Sequence, residues 1–247
     1  MNNPDLLVIL QSHNIHDNQK VMKIVEEKTQ RYVGEPKNVI SEVCTKSLAH
    51  ALKMLRQKYE NASIRFHAID DHSTEDFTDH LESLVQDLNA NGIKASWETL
   101  SGRGIHASCL AQYTYGKTHG RDLVYFVQDD YLYYPDALIK MVETYTGFGM
   151  ISNKPLCMFP FNDPFRYILE NTAVKCHLFQ GEDRYWKTSI HAACCIMTHH
   201  SVLETEWDLF EAFCDHMVDD YMELDTINRL FIERNYILLI PVPSLAL

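Results

Sequence analysis

Three short, mostly apolar runs constrain the fold of this chain more than any other feature of its sequence. They are LLVIL at 6–10, IRFHAI at 64–69 and LVYFV at 123–127. Runs of this length are typical of strands that are buried on both faces of a parallel sheet. The sequence therefore predicts three buried strands that are well separated along the chain.

Apolar residues recur with helical spacing in the segments that follow these runs. The helical stripes cover about 44–59, 77–88 and 138–145. Ser73 and Asp76 have the spacing of a capping box, which predicts that the second of these helices begins there. Strands that alternate with helices predict an α/β layered fold with a mainly parallel central sheet.

Length and composition favour a single domain. The chain has 247 residues, of which 46% are hydrophobic, and a domain of this size buries about 70–75% of its unfolded surface. There is no repeat, low-complexity segment or evident linker. The pattern changes near residue 150, after which aromatic residues, Cys, His and Pro are frequent. We predict one domain over 1–247, with halves of different character at 1–147 and 148–247.

The charge balance and the cysteines exclude several classes of protein. There are 34 acidic and 22 basic side chains, a net charge of -12, whereas a nucleic-acid binder or an anionic-membrane binder needs a basic face. No apolar run approaches the roughly 20 residues of a transmembrane helix. The N-terminus lacks the pattern of a signal peptide, and seven cysteines are irregularly spaced. We therefore expect reduced thiols and a cytoplasmic location.

Two of the apolar runs end in paired aspartates, Asp70–Asp71 and Asp129–Asp130. Ligands of open α/β sheets bind at the carboxyl ends of the strands, so both pairs should lie on one rim. Clustered carboxylates repel each other unless they are protonated, paired or bound to a cation. Mg²⁺ or Mn²⁺ bound by one of these pairs would satisfy that need. The alternative is that each pair marks a solvated turn after a strand.

Four segments, in this order, resemble motifs of the family-2 glycosyltransferases. They are HAIDDHSTEDF at 67–77, TLSGRGIHASCLAQYTYGK at 99–117, LVYFVQDDYLYYPDALIKMVE at 123–143 and MELDTINRLFIERNYILLIPVPSL at 222–245. The third segment is similar to the metal-binding DxD segment of that family. The resemblance covers about residues 5–246, and the order and spacing of the segments carry it.

The resemblance implies a GT-A fold, which is a Rossmann-like three-layer α/β/α sandwich. It implies an inverting enzyme that moves a sugar from a nucleotide diphosphate sugar to a hydroxyl acceptor, such as a glycan, with Mn²⁺ or Mg²⁺ as cofactor. The half at 1–147 would bind the nucleotide sugar, and the half at 148–247 would bind the acceptor.

The resemblance also assigns binding roles to individual residues. Asp130 would hold the metal that bridges the diphosphate. The donor would be contacted by polar side chains at the other motif positions, namely His13, Asp70, Asp71, Arg103 and Asp129. Within that set, Asp70 or Asp71 would meet the base or the ribose, and Asp129 the ribose. Arg103 would reach the base or the phosphates, and His13 begins the donor-binding loop.

A general base is needed to activate the acceptor hydroxyl, and it is usually Asp or Glu. The acidic stretch DDYMELD at 219–225 supplies the candidates. Alignment on Arg229 places Glu223 at the catalytic carboxylate of the family, with Asp225 two residues later, and we favour these two. A shifted alignment places Asp220 there instead. The alternative is a solvated acidic helix start, where carboxylates favour the helix dipole.

The chain departs from the family pattern in its metal-binding residues. The DxD segment reads Gln-Asp-Asp, and the chain stops at PSLAL, where many relatives continue to a histidine that can bind the metal. Either the chain ends early or the metal site is completed differently. The possible substitutes are His13, His191, His199 and His200. The CCIMTHH stretch, which ends at His200, is interpreted as a buried strand rather than a zinc site.

Two rival functions remain at this point. A sugar-phosphate nucleotidyltransferase would need a glycine-rich basic loop after the first strand, and LLVILQSHNIHDNQ has no glycine. A degenerate glycosyltransferase would bind nucleotide or glycan without transfer.

Overall fold

The structure is a computed structural model that describes residues 3–14, 37–162, 175–192, 195–215 and 222–247. The described residues form one sheet, whose strands are β1 Asp5–Ser12, β2 Ser63–Asp70, β3 Lys94–Thr99, β4 Leu123–Gln128, β5 Leu156–Met158, β6 Leu178–Gln180, β7 Tyr185–Ser189, β8 Met197–His199 and β9 Ile237–Val242. The helices in these ranges are α1 Lys37–Lys58, α2 Glu75–Ala90, α3 Ile105–His119, α4 Ala137–Ile151, α5 His200–Thr205, α6 Trp207–Asp215, α7 Met222–Asp225 and α8 Arg229–Ile232.

The strand order of the sheet is β3-β2-β1-β4-β8-β5-β9-β7-β6. The first four strands are parallel, as the apolar runs predict, and α1, α2 and α3 connect them. Beyond β4 the sheet is mixed, because β8 is antiparallel to both β4 and β5, and β7 is antiparallel to β9 and β6. The predicted parallel arrangement therefore holds for the N-terminal part of the sheet, and the short C-terminal strands complete it in both directions.

Helices cover both faces of the sheet and make three layers. Leu6, Val8 and Leu10 of β1 share one buried cluster with apolar residues of α1, α2 and α4. Leu7 and Ile9 share the opposite cluster with residues of α3, α5 and α6. Because successive side chains of a strand point to opposite faces, one uniformly apolar run serves both clusters. This confirms the predicted three-layer α/β/α architecture of the GT-A type.

The start of α2 differs from the predicted capping box. Thr74 occupies the N-cap, and its side chain makes no capping hydrogen bond. The Ser73 hydroxyl instead accepts a hydrogen bond from the Asn14 backbone N–H at 3.1 Å, and the Thr74 N–H donates to Asn14 Oδ1 at 3.0 Å. The capping-box prediction was wrong because Ser73 joins the loop after β2 to the loop after β1.

The last residues of the chain return to the loop that follows β4. Leu132 and Leu247 exchange two backbone hydrogen bonds of 2.9 Å each, and the Tyr134 N–H donates to the Leu245 carbonyl at 3.0 Å. The loop with Asp130 is therefore braced by a segment from the other end of the sequence. None of the helices in the described ranges has the length and apolarity needed to cross a bilayer.

Candidate functional site

The two aspartate pairs follow strands on either side of β1. Ser12 at the end of β1 is in register with Asp70, and Gln11 is in register with Gln128. The carboxyl ends of β1, β2 and β4 therefore form one rim, which holds both pairs, as the sequence predicts. β2 and β4 lie on opposite sides of β1, and open α/β sheets form their ligand-binding crevice at the strand ends in an arrangement of this kind.

His13 links the two aspartate pairs across this crevice. Its backbone N–H donates to Asp129 Oδ2 at 3.1 Å, and its imidazole donates through Nδ1 to the Asp71 carbonyl at 2.8 Å. The same nitrogen lies 4.0 Å from Asp71 Oδ2. The sequence-predicted residue that begins the donor-binding loop therefore contacts both pairs.

Asp70 is fully buried and holds the strand ends together. Its Oδ1 accepts a hydrogen bond from Ser12 Oγ at 3.0 Å, and its Oδ2 accepts one from the Ser73 N–H at 2.9 Å. Both carboxylate oxygens are thus engaged by the loops that form the rim. Asp70 acts in the structure as an anchor for these loops.

Asp71 connects the rim to the loop that contains Arg103. Its Oδ2 accepts a hydrogen bond from the Gly104 N–H at 2.8 Å, and His72 Nδ1 lies 3.2 Å from its Oδ1. Gly104 has a φ of 90°, a left-handed conformation that favours glycine. Arg103 precedes Gly104 and is exposed, so its backbone is one residue away from the contact with Asp71.

Asp129 is the most heavily bonded carboxylate of the site. Lys37 Nζ lies 3.0 Å from its Oδ1, and Ser41 Oγ donates to its Oδ2 at 2.9 Å in addition to the His13 N–H. The sequence analysis did not identify Lys37 or Ser41, because the apolar stripe that predicted this helix begins only at residue 44. Their spacing of four residues places them on the same side of α1, and this is the sequence signal that could have identified them.

Asp130 is partly exposed and lies within electrostatic reach of Cys44 on α1. Burial, with a further contribution from the charges of Asp130 and Asp129, raises the pKa of the Cys44 thiol to about 12, and the charge of Lys37 opposes this shift. The thiol therefore stays protonated at neutral pH. Cys44 therefore contributes an uncharged side chain to this part of the site.

The residues of the rim fit a metal ion that is coordinated mainly by the phosphates of a bound substrate and only in part by protein side chains. In the described ranges, no group of three or more His, Cys, Asp or Glu side chains is placed to hold a metal ion. Asp130 is the carboxylate that the resemblance assigns to the metal. Mg²⁺ is commonly bound through one or two carboxylates together with the phosphates of a substrate. An aspartate at this rim fits that mode of binding and not a cage made of protein ligands.

Two of the candidate histidines lie at the wrong end of β4 to assist such a metal. His199 pairs with Leu123 at the start of the strand, and His200 Nε2 donates to the Lys117 carbonyl at 2.7 Å. Both therefore lie at the opposite end of β4 from the aspartates, so they do not assist the carboxylate that the resemblance assigns to the metal. His13 does lie at the rim. Cys195 and Ile196 are buried just before β8, as the strand interpretation predicts.

Two hydrogen bonds link Glu223 to Ala192, which precedes β8 in the sequence. The Ala192 N–H donates to Asn228 Oδ1 at 2.7 Å, and the Asn228 N–H donates to the Glu223 carbonyl at 2.8 Å. Glu223 is partly exposed.

Asp225 is exposed on the same short helix, α7. The hydrogen bond from Arg229 to Glu233 is the main reason that the pKa of Arg229 is raised, and Asp225 adds to that shift. The third candidate, Asp220, lies outside the described residues.

The comparisons with known proteins rest on structure. The sequence matches no protein-family model. No curated protein matches it either. Among solved structures, GalNAc-T7 with UDP, GalNAc and Mn²⁺ has a TM-score of 0.57 at 11% identity, and the match covers 99% of this chain and 43% of that chain. TarS 1-349 of S. aureus has a TM-score of 0.50 at 12% identity, over 96% of this chain and 57% of that chain.

UDP-glucose pyrophosphorylase has a TM-score of 0.49 at 8% identity, over 99% of this chain and 92% of that chain. This chain spans less than two thirds of the length of the GalNAc-T7 and TarS chains. The likeness to those two structures shows the fold of this chain. It is the GT-A-like fold of the nucleotide-sugar transferases.

Proposed function

We propose that this protein is an inverting, metal-dependent glycosyltransferase. It moves a sugar from a nucleotide diphosphate sugar to a hydroxyl group of an acceptor such as a glycan. One observation carries the proposal: His13 contacts both Asp71 and Asp129 at the carboxyl ends of β1, β2 and β4. Nucleotides bind in this position of open α/β sheets.

The half at 1–147 would bind the donor, and the half at 148–247 would bind the acceptor. Asp71 and Arg103 lie on one side of β1, where they would receive the base or ribose. Asp129 on the other side would accept a hydrogen bond from a ribose hydroxyl. The candidate base, Glu223, comes from the half at 148–247, which supports the proposed division of one domain into a donor half and an acceptor half.

Asp130 would hold Mn²⁺ or Mg²⁺. When bound, the metal supplies Lewis-acid stabilisation to the diphosphate that leaves. The UDP and Mn²⁺ in the GalNAc-T7 structure support a metal of this kind in the fold.

Glu223 or Asp225 would act as the general base. The carboxylate takes the proton of the acceptor hydroxyl while the hydroxyl oxygen forms a bond to the anomeric carbon. The bond from that carbon to the diphosphate oxygen breaks, and the diphosphate leaves with the electron pair. Attack from the side opposite the leaving group inverts the configuration. We propose that the reaction takes place in the cytosol, where donors of this class are available.

A thermal-stability screen tests the donor site. The protein is heated with UDP, GDP, dTDP or CDP, each with and without Mn²⁺. A ligand at a hundredfold excess over its Kd stabilises the folded state by about 2.7 kcal/mol. We expect one nucleotide to raise the melting temperature in a metal-dependent way, and Asp130→Ala to remove that rise.

Asp122→Ala is the matched control. Asp122 precedes β4, at the opposite end of the strand from Asp130, and lies 3.5 Å from His199. This variant should respond to the nucleotide as the wild-type protein does. Turnover of the sugars of that nucleotide then separates a transferase from a degenerate binder. Absence of any shift with all four nucleotides and Mn²⁺ contradicts the proposed donor site.

A further inference from the structure

Lys37 is a cation at the rim that the assigned donor contacts do not include. Its ammonium group lies 3.0 Å from Asp129 Oδ1, and its side chain is 25% exposed whereas that of Asp129 is 5% exposed. The lysine thus contacts a buried carboxylate and remains partly exposed.

Asp129 has hydrogen-bond donors other than Lys37. Its other oxygen accepts hydrogen bonds from Ser41 Oγ at 2.9 Å and from the His13 N–H at 3.1 Å. An ammonium group has three donors and no acceptor. Lys37 can therefore keep one N–H on Asp129 and direct the others to a second anion.

The position of Lys37 places it beside the proposed metal ligand. Its ammonium group lies 3.0 Å from Asp129 Oδ1, and Asp130 is the next residue along the chain. The charges of all three residues also contribute to the pKa of the Cys44 thiol. An anion bound by Lys37 would therefore be close in sequence and charge to the carboxylate assigned to the metal.

The excess negative charge at the site would favour a positively charged side chain near the diphosphate. The protein has a net charge of -12, and a nucleoside diphosphate carries more negative charge than one divalent cation neutralises. Repulsion from Asp129 and Asp130 adds to this deficit, because unscreened charges in a partly buried site interact strongly.

We propose that Lys37 binds the diphosphate of the donor directly and shares its ammonium group between Asp129 and a phosphate oxygen. This inference rests on the proposed donor site and adds a diphosphate-binding residue to it. The lysine neutralises charge that the metal leaves and supports the departure of the diphosphate.

The test compares a ligand that has the diphosphate with one that lacks it. The affinities of UDP and uridine, or of whichever diphosphate in the screen binds and its nucleoside, are measured with Mn²⁺ for the wild type, Lys37→Met and Lys37→Arg. We expect Lys37→Met to weaken UDP binding by about ten- to a hundredfold, which is the usual effect of losing a charged hydrogen bond. Uridine binding should change less than about twofold, and Lys37→Arg should keep most of the UDP affinity.

Lys46→Met is the matched control. Lys46 lies on the same helix, pairs with Glu42 at 3.1 Å, and has a side chain that is 62% exposed. It should bind both ligands as the wild type does.

Parallel loss of UDP and uridine in Lys37→Met would overturn the inference, because it indicates that the lysine only maintains Asp129. Unchanged UDP binding in Lys37→Met would overturn it as well, while the proposed function stands. A wild-type protein that binds none of the four diphosphates would overturn the proposed function and this inference together.

Discussion

The Gly104 N–H donates a hydrogen bond of 2.8 Å to Asp71 Oδ2. This bond fixes the loop after β3 against the buried end of β2, and it requires the left-handed conformation of Gly104, whose φ is 90°. The bond thus couples the backbone conformation of one glycine to the position of Arg103 next to it.

We expect Gly104→Ala to lower the free energy of unfolding by about 1–3 kcal/mol, because its φ of 90° and ψ of 167° lie in a region that essentially only glycine adopts. A Cβ at this position meets no atom within 4 Å, so backbone strain alone is responsible. Chemical denaturation measures the change. Gly147→Ala is the control, because its Cβ also has open space but lies within α4. It should be neutral or stabilising, and equal losses in the two variants would contradict the role of φ.

Asp70 should be needed for folding more than for ligand chemistry. Asp70→Ala leaves the Ser73 N–H and the Ser12 hydroxyl without their buried acceptor. An unsatisfied buried group costs about 1–3 kcal/mol, so we expect a loss of at least that size in urea unfolding. Asp76→Ala, on the exposed first turn of α2, should cost less than about 1 kcal/mol. A fully stable Asp70→Ala protein would show that the anchor is dispensable.

Glu223→Gln separates the proposed base from donor binding. The variant keeps the shape of the side chain and loses the ability to accept a proton. We expect turnover to fall by about a hundred- to ten-thousandfold while the nucleotide-induced stabilisation is kept. Asp225→Asn, measured in parallel, decides between the two candidates.

The control for these variants is Glu233→Gln. Glu233 lies nearby, is exposed, and accepts a hydrogen bond from Arg229 at 2.9 Å. Turnover should be close to that of the wild type. If both Glu223→Gln and Asp225→Asn keep full turnover, the base lies elsewhere.

The thiol of Cys44 should make stability decline at alkaline pH. Its pKa rises from 9.0 in the unfolded chain to about 12 in the folded protein, chiefly through burial and then through Asp130. The folded state therefore holds the proton more tightly, and this contribution is complete below pH 9 and is lost as pH rises toward 12. The slope is at most about 1.4 kcal/mol per pH unit.

Cys44→Ala removes this thiol, so the free energy of unfolding should fall less steeply above pH 9 in the variant than in the wild type. Denaturation at several pH values measures the difference. Cys176→Ala is the control, because Cys176 is an exposed thiol, and its slope should match that of the wild type. Identical slopes for all three proteins would contradict the raised pKa.

The apolar runs were sufficient to predict the parallel part of the sheet. Burial on both faces requires continuous apolar sequence, so β1, β2 and β4 were visible, whereas β3 has the sequence KASWET and is half exposed at the sheet edge. An exposed edge strand carries no such pattern. The paired aspartates were found for the same reason, because they terminate two of the visible strands.

The remaining site residues depend on contacts between distant segments. Lys37 and Asp129 are 92 positions apart, and only the packing of α1 across the strand ends brings them together. Ser73 was assigned to a helix cap by local spacing, yet it bonds to Asn14 in another loop. The spacing of residues along the sequence does not determine which partner a polar side chain binds, because that depends on tertiary packing.

Leu132 and Leu247 are joined by two backbone hydrogen bonds, which restrain the loop that contains Asp130. A loop that is already ordered loses little conformational freedom when a ligand arrives, so less of the interaction energy is spent on ordering it. At the proposed donor site, residues 245–247 would therefore contribute to donor affinity, because they order the Asp130 loop before the donor binds.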